Sequence, residues 1–166
     1  MGRTFLLFLM AAELHAAGDS ALDRATLRGI TAVNVVVDPV EAQVEEQGVT
    51  QKNLRARVED RLHAANITLD SSSSEFVAVR LTSVHAIPGR FAVTRAPFAV
   101  AITLALYQPV QLVRDPQVRT ATQTWEVETV VLADPKVLYR ACEESIDDLA
   151  ARFIAAYRSV NPAAEK

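Results

Sequence analysis

One cysteine, Cys142, is present among 166 residues. An internal disulfide is therefore impossible, and a zinc site built from cysteines is excluded with it. Aromatic residues amount to 6%, too sparse for platforms on which nucleic-acid bases stack. The charge of −3 and a pI near 5.6 show no basic excess of the kind a nucleic-acid binder carries, so no nucleic-acid partner is expected. The five glycines are scattered, and no GxGxxG, Walker loop or GxSxG occurs. The three histidines, His15, His63 and His85, form neither HxH nor HExxH, which removes the usual zinc-hydrolase pattern. No apolar run approaches the ~20 residues that a membrane-crossing helix needs. No cofactor, metal site or catalytic set is expected.

Half of the residues are apolar and 22% are charged, a globular composition with ample material for one core. The first stretch, "MGRTFLLFLMAAELHAAGDS", has a positive start at Arg3, a short apolar run and small residues at Ala16, Ala17 and Gly18. This is the arrangement of a secretory signal peptide. Residues 1–18 are expected to be a signal peptide and residues 19–166 a single α/β domain, the mature chain beginning near Gly18 or Asp19. That places the domain in the periplasm or outside the cell, with no transmembrane segment. No cysteine lies near the cut to take a bacterial lipid.

Strand and helix signals alternate along the remainder. "LRGITAVNVVVD" is β-branched and apolar on both faces toward its end, as in an interior strand. Asp38-Pro39 then signals a short helix, closed by Gly48. "TQKNLRARVEDRLHAANI" predicts a helix capped by Thr50, with Leu54, Val58, Leu62 and Ala65 as the buried stripe and Asn66 in the left-handed turn that ends it. Three β runs follow. Val77, Val79, Leu81 and Ile87 share a face in the first, with His85 beside them. Phe98, Val100, Ile102, Leu104 and Leu106 make a heavy face in the second, opposite the small residues Ala99, Ala101 and Ala105. In the third, Ala121, Trp125, Val127 and Val131 oppose Thr120, Thr122, Thr124, Glu126 and Glu128. A last helix runs from about Pro135 to Val160. The order β-α-β-β-β-α predicts a two-layer α/β (α+β) sandwich: a mixed sheet of about four strands with two long helices on one face. The first strand and the one after the long helix should run parallel.

Candidate reactive groups have ordinary readings. Leu138, Cys142, Ile146, Leu149, Phe153, Tyr157 and Val160 recur at intervals of three or four, so Cys142 belongs to a packing stripe, where burial raises a thiol pKa. Glu143, Glu144, Asp147 and Asp148 read as a solvated acidic face, with like charges four residues apart mildly unfavourable. His63 should be exposed, and a hydrolase would need His85 within reach of a carboxylate. The loop "IPGRFAVTRAP" offers Arg90, Phe91 and Arg95 as an apolar and cationic tip, the preferred interaction surface. Trp125 either lines a pocket with that tip or belongs to the core.

Taken together, "LRGITAVNVVVD", "GVTQKNLRARVEDRLHAANI", "TQTWEVETVV" and "FIAAYRSVNP" resemble a group of small secreted bacterial proteins of uncharacterised function. The order of elements is similar, more loosely, to the amino-terminal α/β modules of TolB-type and curli-secretion envelope proteins. The resemblance implies the fold and a cell-envelope location, and supplies no functional residues. The expected function is a non-enzymatic bacterial domain binding an unknown envelope protein or component. The alternative is a small-ligand or lipid carrier using the Ala99, Ala101 and Ala105 face as a groove. That flat face also suits a homo-oligomer.

Overall fold

The computed structural model describes residues 18–85 and 97–162, with His85 as backbone alone. Residues 1–17 of the expected leader, Ile87 and the tip residues Arg90, Phe91 and Arg95 lie outside the described residues. The elements are α1 (Ala21–Ala25), β1 (Asn34–Val37), α2 (Ala42–Glu45), α3 (Gln51–Ala64), β2 (Phe76–His85), β3 (Phe98–Leu112), β4 (Asp115–Ala133) and α4 (Pro135–Val160). The sheet order is β1-β2-β3-β4; β1 and β2 are parallel, the other pairs antiparallel. With α3 and α4 laid on one face, this is the mixed two-layer sandwich that the sequence predicts.

The helices form for the reasons their sequences give. Thr50 caps α3 by accepting from Asn53 N at 3.2 Å. Leu54, Val58 and Leu62 are buried, each stabilising by roughly 1.5–3 kcal/mol. Asn66 ends the helix at φ 61°, a left-handed conformation that its short polar side chain tolerates. In α4, Leu138, Cys142, Ile146, Leu149 and Phe153 are buried and Tyr157 and Val160 pack against them. Facing them are Val77, Val79 and Leu81 of β2, the five heavy residues of β3, and Trp125, Val127 and Val131 of β4.

Three expectations are corrected. First, β1 is a short edge strand, not an interior one. Only Asn34–Val37 is extended, with Val35 and Val37 buried and Asn34 and Val36 half-buried. Leu27 and Ile30 are core residues, but they come from the turn after α1. Asn161 holds that turn: its Nδ2 donates to Leu27 O at 2.8 Å, and its Oδ1 accepts from Gly29 N at 2.8 Å. Gly29 stands at φ 79° there, which a side chain would strain. Second, α2 begins later than Asp38-Pro39 predicts, with Glu41 at its N-cap. The Asp38 carboxylate instead takes Arg80 Nε at 2.8 Å. Third, Ala121 does not share a face with Trp125. Leu106 pairs with Trp125 but Tyr107 pairs with Gln123, so the register skips Thr124. A one-residue slip turns the side chains of β4 that precede it to the other face relative to Trp125; Ala121 is exposed, as is every residue of Asp115–Thr122 in the arm.

Candidate functional site

The face of the sheet turned away from α3 and α4 is organised in rows. Register places Val84, Ala99 and Leu132 in one row, and Thr82, Ala101 and Val130 in the next. Arg80, Thr103 and Glu128 follow, then Ala78, Ala105 and Glu126. Phe76 and Tyr107 close the series as a parallel stack, 5.1 Å between ring centroids. The first two rows are apolar and open: Val84 is 69% exposed, Val130 67% and Leu132 73%. Single exposed aliphatics are common on any protein. Three in adjacent rows, separated by alanines, form a contiguous patch of the kind that marks a contact surface.

Beyond Phe76, which pairs with Tyr107, β3 and β4 continue without β2 as a two-stranded arm. Its turn is Val113-Arg114, with Val113 fully exposed. The arm is anchored at its base by Gln108, whose Nε2 donates to Thr26 O at 3.0 Å.

Trp125 is fully buried, packed edge-on against Phe153 with centroids 5.2 Å apart. Of its two readings, core or pocket wall, this geometry is that of a core residue: no face of the indole is open to a partner. Its Nε1 donates to Asp19 Oδ1 at 2.9 Å. Asp19 also receives Arg24 Nε at 2.7 Å and Nη2 at 2.6 Å. The Arg24 guanidinium, aided by the indole N–H, holds the Asp19 carboxyl below its ordinary value.

The acidic stretch of α4 is split, which corrects the reading of one solvated face. Glu144 and Asp148 are exposed, but Glu143 and Asp147 turn toward α3. Asp147 accepts from Arg61 Nε at 2.8 Å and from Arg61 Nη2, and from Arg57 Nε at 2.8 Å and Nη2 at 2.7 Å. Two guanidinium groups, Arg61 first, hold its carboxyl far below the usual range. Glu143 receives Arg57 Nη1 at 3.5 Å and Tyr139 Oη at 2.8 Å. Arg57 therefore sits between the two carboxylates whose spacing looked unfavourable, and the cluster clamps α3 to α4.

Cys142 lies beneath this clamp, fully buried, and desolvation pushes its thiol up to about 11. A recess lined by Val49, Leu54, Arg57, Tyr139 and Glu143 reaches it but holds about 10 Å³, room for one water at most. The site has neither thiolate nor space for a substrate. His63 is exposed. No group of three His, Cys, Asp or Glu side chains able to hold a metal occurs among the described residues. None of the described helices is long and apolar enough to cross a membrane.

The sequence places Ala99, Ala101 and Ala105 on this face, but strand alternation alone does not put Val84, Val130 and Leu132 beside them; register does. "TVVLA" carried the signal: Val130, Val131 and Leu132 are apolar without alternation, so one face had to expose what the other buried.

No protein-family model matches the chain, and no curated protein does. Among solved structures the chain is similar to a dodecamer of a PelC variant from Paraburkholderia phytofirmans. The identity is 12%, the match covers 82% of this chain and 92% of that one, and the TM-score is 0.43. It is similar to the rare lipoprotein B from Shewanella oneidensis at 12% identity, with 77% and 96% covered and a TM-score of 0.38. A minor lipoprotein from Acinetobacter baumannii matches at 12% identity, with 82% and 97% covered and a TM-score of 0.36.

Proposed function

We propose that this chain is a non-enzymatic binding domain of the bacterial periplasm or cell exterior, and that it holds an envelope protein through the uncovered face of its sheet. The observation that carries the reading is the open patch of Val84, Val130 and Leu132 beside Ala99 and Ala101. Leaving these side chains in water gains nothing for folding, since they are exposed in both states. A partner that covers them recovers the burial. The leader pattern of residues 1–18 supports the location, and the finer likeness to TolB-type and curli-secretion modules is in keeping with it. The groups best suited to chemistry are engaged otherwise: Cys142 in packing, Asp147 and Glu143 in the clamp. The carrier reading places its ligand on the Ala99, Ala101 and Ala105 face, where Ala105 is buried; the recess at Cys142 is too small to serve instead.

Photo-cross-linking in the native host tests the proposal. A photoreactive residue at Thr82, on the open face, should give an adduct with another envelope protein. The same group at Lys52, on the exposed side of α3, should not. The adduct should vanish when Val84→Glu and Leu132→Glu are combined. Absence of any adduct at Thr82, equal adducts from both positions, or an adduct that survives the double substitution would overturn it.

A further inference from the structure

Backbone direction along β4 exposes a second surface. Glu126 N donates to Gly18 O at 3.2 Å, and Glu128 O accepts from Arg152 Nη1 at 3.5 Å. Both partners lie off the sheet, so these residues aim their peptide groups away from β3. Direction alternates residue by residue along an antiparallel strand, and register is continuous from Trp125 to Ala133. Val130 and Leu132 therefore point the same way, and their outward N–H and C=O groups take no partner among the described residues. The same two residues carry exposed aliphatic side chains. An edge of this kind is one that sheets ordinarily blunt with charged side chains, Pro or a covering segment. Glu128 and Arg152 do so at one end, but no charge and no Pro occurs from position 129 to 133.

The opening has two stops. Gly18 occupies Glu126 on one side, and Asp134 turns the chain into α4 on the other. What remains is residues 128–132, centred on Val130. A strand limited at both ends in the same way matches it end to end, and β4 of another copy is such a strand. Antiparallel pairing about a two-fold axis at Val130 sets Glu128 opposite Leu132 and Thr129 opposite Val131, so no like charges face each other within 128–132; Glu126 and Asp134 fall opposite just beyond, where the pairing stops. Hydrogen-bonded pairs at 128, 130 and 132 add about four N–H···O bonds between free groups, and two more where Glu128 O exchanges Arg152 for the second copy.

We propose that a second copy of this chain pairs with β4 through residues 128–132, joining two sheets edge to edge. The edge uses the outward backbone groups of Val130 and Leu132, whose side chains belong to the face assigned to the envelope partner, so the joined sheets would present two such faces side by side.

Light scattering of the purified protein across micromolar concentrations tests this. The wild-type protein should show the mass of a dimer at the upper end. Val130→Pro removes an N–H that points outward and leaves the ladder to β3 intact. Val130→Lys adds a charge to the edge and keeps the N–H. Both should keep the wild-type circular dichroism and associate roughly 10–100-fold more weakly. Should Val130→Pro fail to fold, Val130→Lys carries the test alone. A wild-type protein that stays monomeric throughout, or a mass above the monomer that Val130→Lys leaves unchanged, overturns the proposal.

Discussion

On the side of β3 that meets α4, Phe98, Val100, Ile102, Leu104 and Leu106 are all buried, while on the other side Ala99, Ala101 and Thr103 stay partly open beside the exposed Val84, Val130 and Leu132. The backbone is shared, so the difference lies in what covers each face. Side chains on the covered face hold their positions by contact with the helices. Those on the open face are apolar without packing to show for it. Substitutions should therefore separate the two faces by their cost in stability.

The largest separation is expected at the centre of the covered face. Phe153→Ala removes the ring that Trp125 packs against and should cost about 3–5 kcal/mol. Val130→Ala and Leu132→Ala should each change stability by less than about 0.5 kcal/mol. Urea unfolding midpoints measure both; a comparable loss at Val130 would show that the open face is packed after all. Next comes the polar seam at the margin of the core. Asp19→Ala leaves the indole N–H of Trp125 without its acceptor and should cost about 1–3 kcal/mol, read from the same curves. In a Trp125→Phe background, Asp19→Ala should lose most of that cost.

Smaller still is the clamp over the helices. Asp147→Asn should cost about 0.5–1 kcal/mol near neutral pH, because its arginine partners are largely solvated. The carboxyl is depressed in the folded chain, so its contribution is complete above the unfolded-chain value near 3.9 and falls away as the pH drops below it. Thermal unfolding between about pH 7 and pH 2 should thus converge for the wild type and Asp147→Asn at the acid end. The clearest chemical contrast is expected from thiols. Native Cys142, with its thiol near 11, should react negligibly with a thiol reagent at neutral pH. A protein combining Cys142→Ala with Thr82→Cys should react as fast as a free cysteine peptide. Rapid labelling of Cys142 would contradict its burial.

Much of the covered face was legible in the sequence, because alternation in strands and intervals of three or four in helices report burial directly. The parallel pairing of β1 with β2, the Thr50 cap and the left-handed Asn66 followed from local chemistry. The misses have a common cause in long-range geometry. Nothing local distinguishes Leu27 in a turn from Leu27 in a strand; Asn161, far along the chain, decides it. The slip at Thr124 is invisible because threonines at 120, 122 and 124 suit either face. Arg57 and Arg61 look like solvated helix residues until α4 brings Asp147 to them. The open patch was hidden for the opposite reason: its side chains obey β preference, and only their exposure, with no described element packed over them, singles them out.

The Asn161 clasp bears on how the polypeptide is delivered. It joins residues 132 and 134 positions apart, a separation whose closure is entropically late. While the chain emerges from a ribosome, the turn at 27–29 has no lasting partner until the final turn of α4 arrives. The turn thus stays slack until Asn161 has been synthesised, and an early segment of the fold is fastened by a late one.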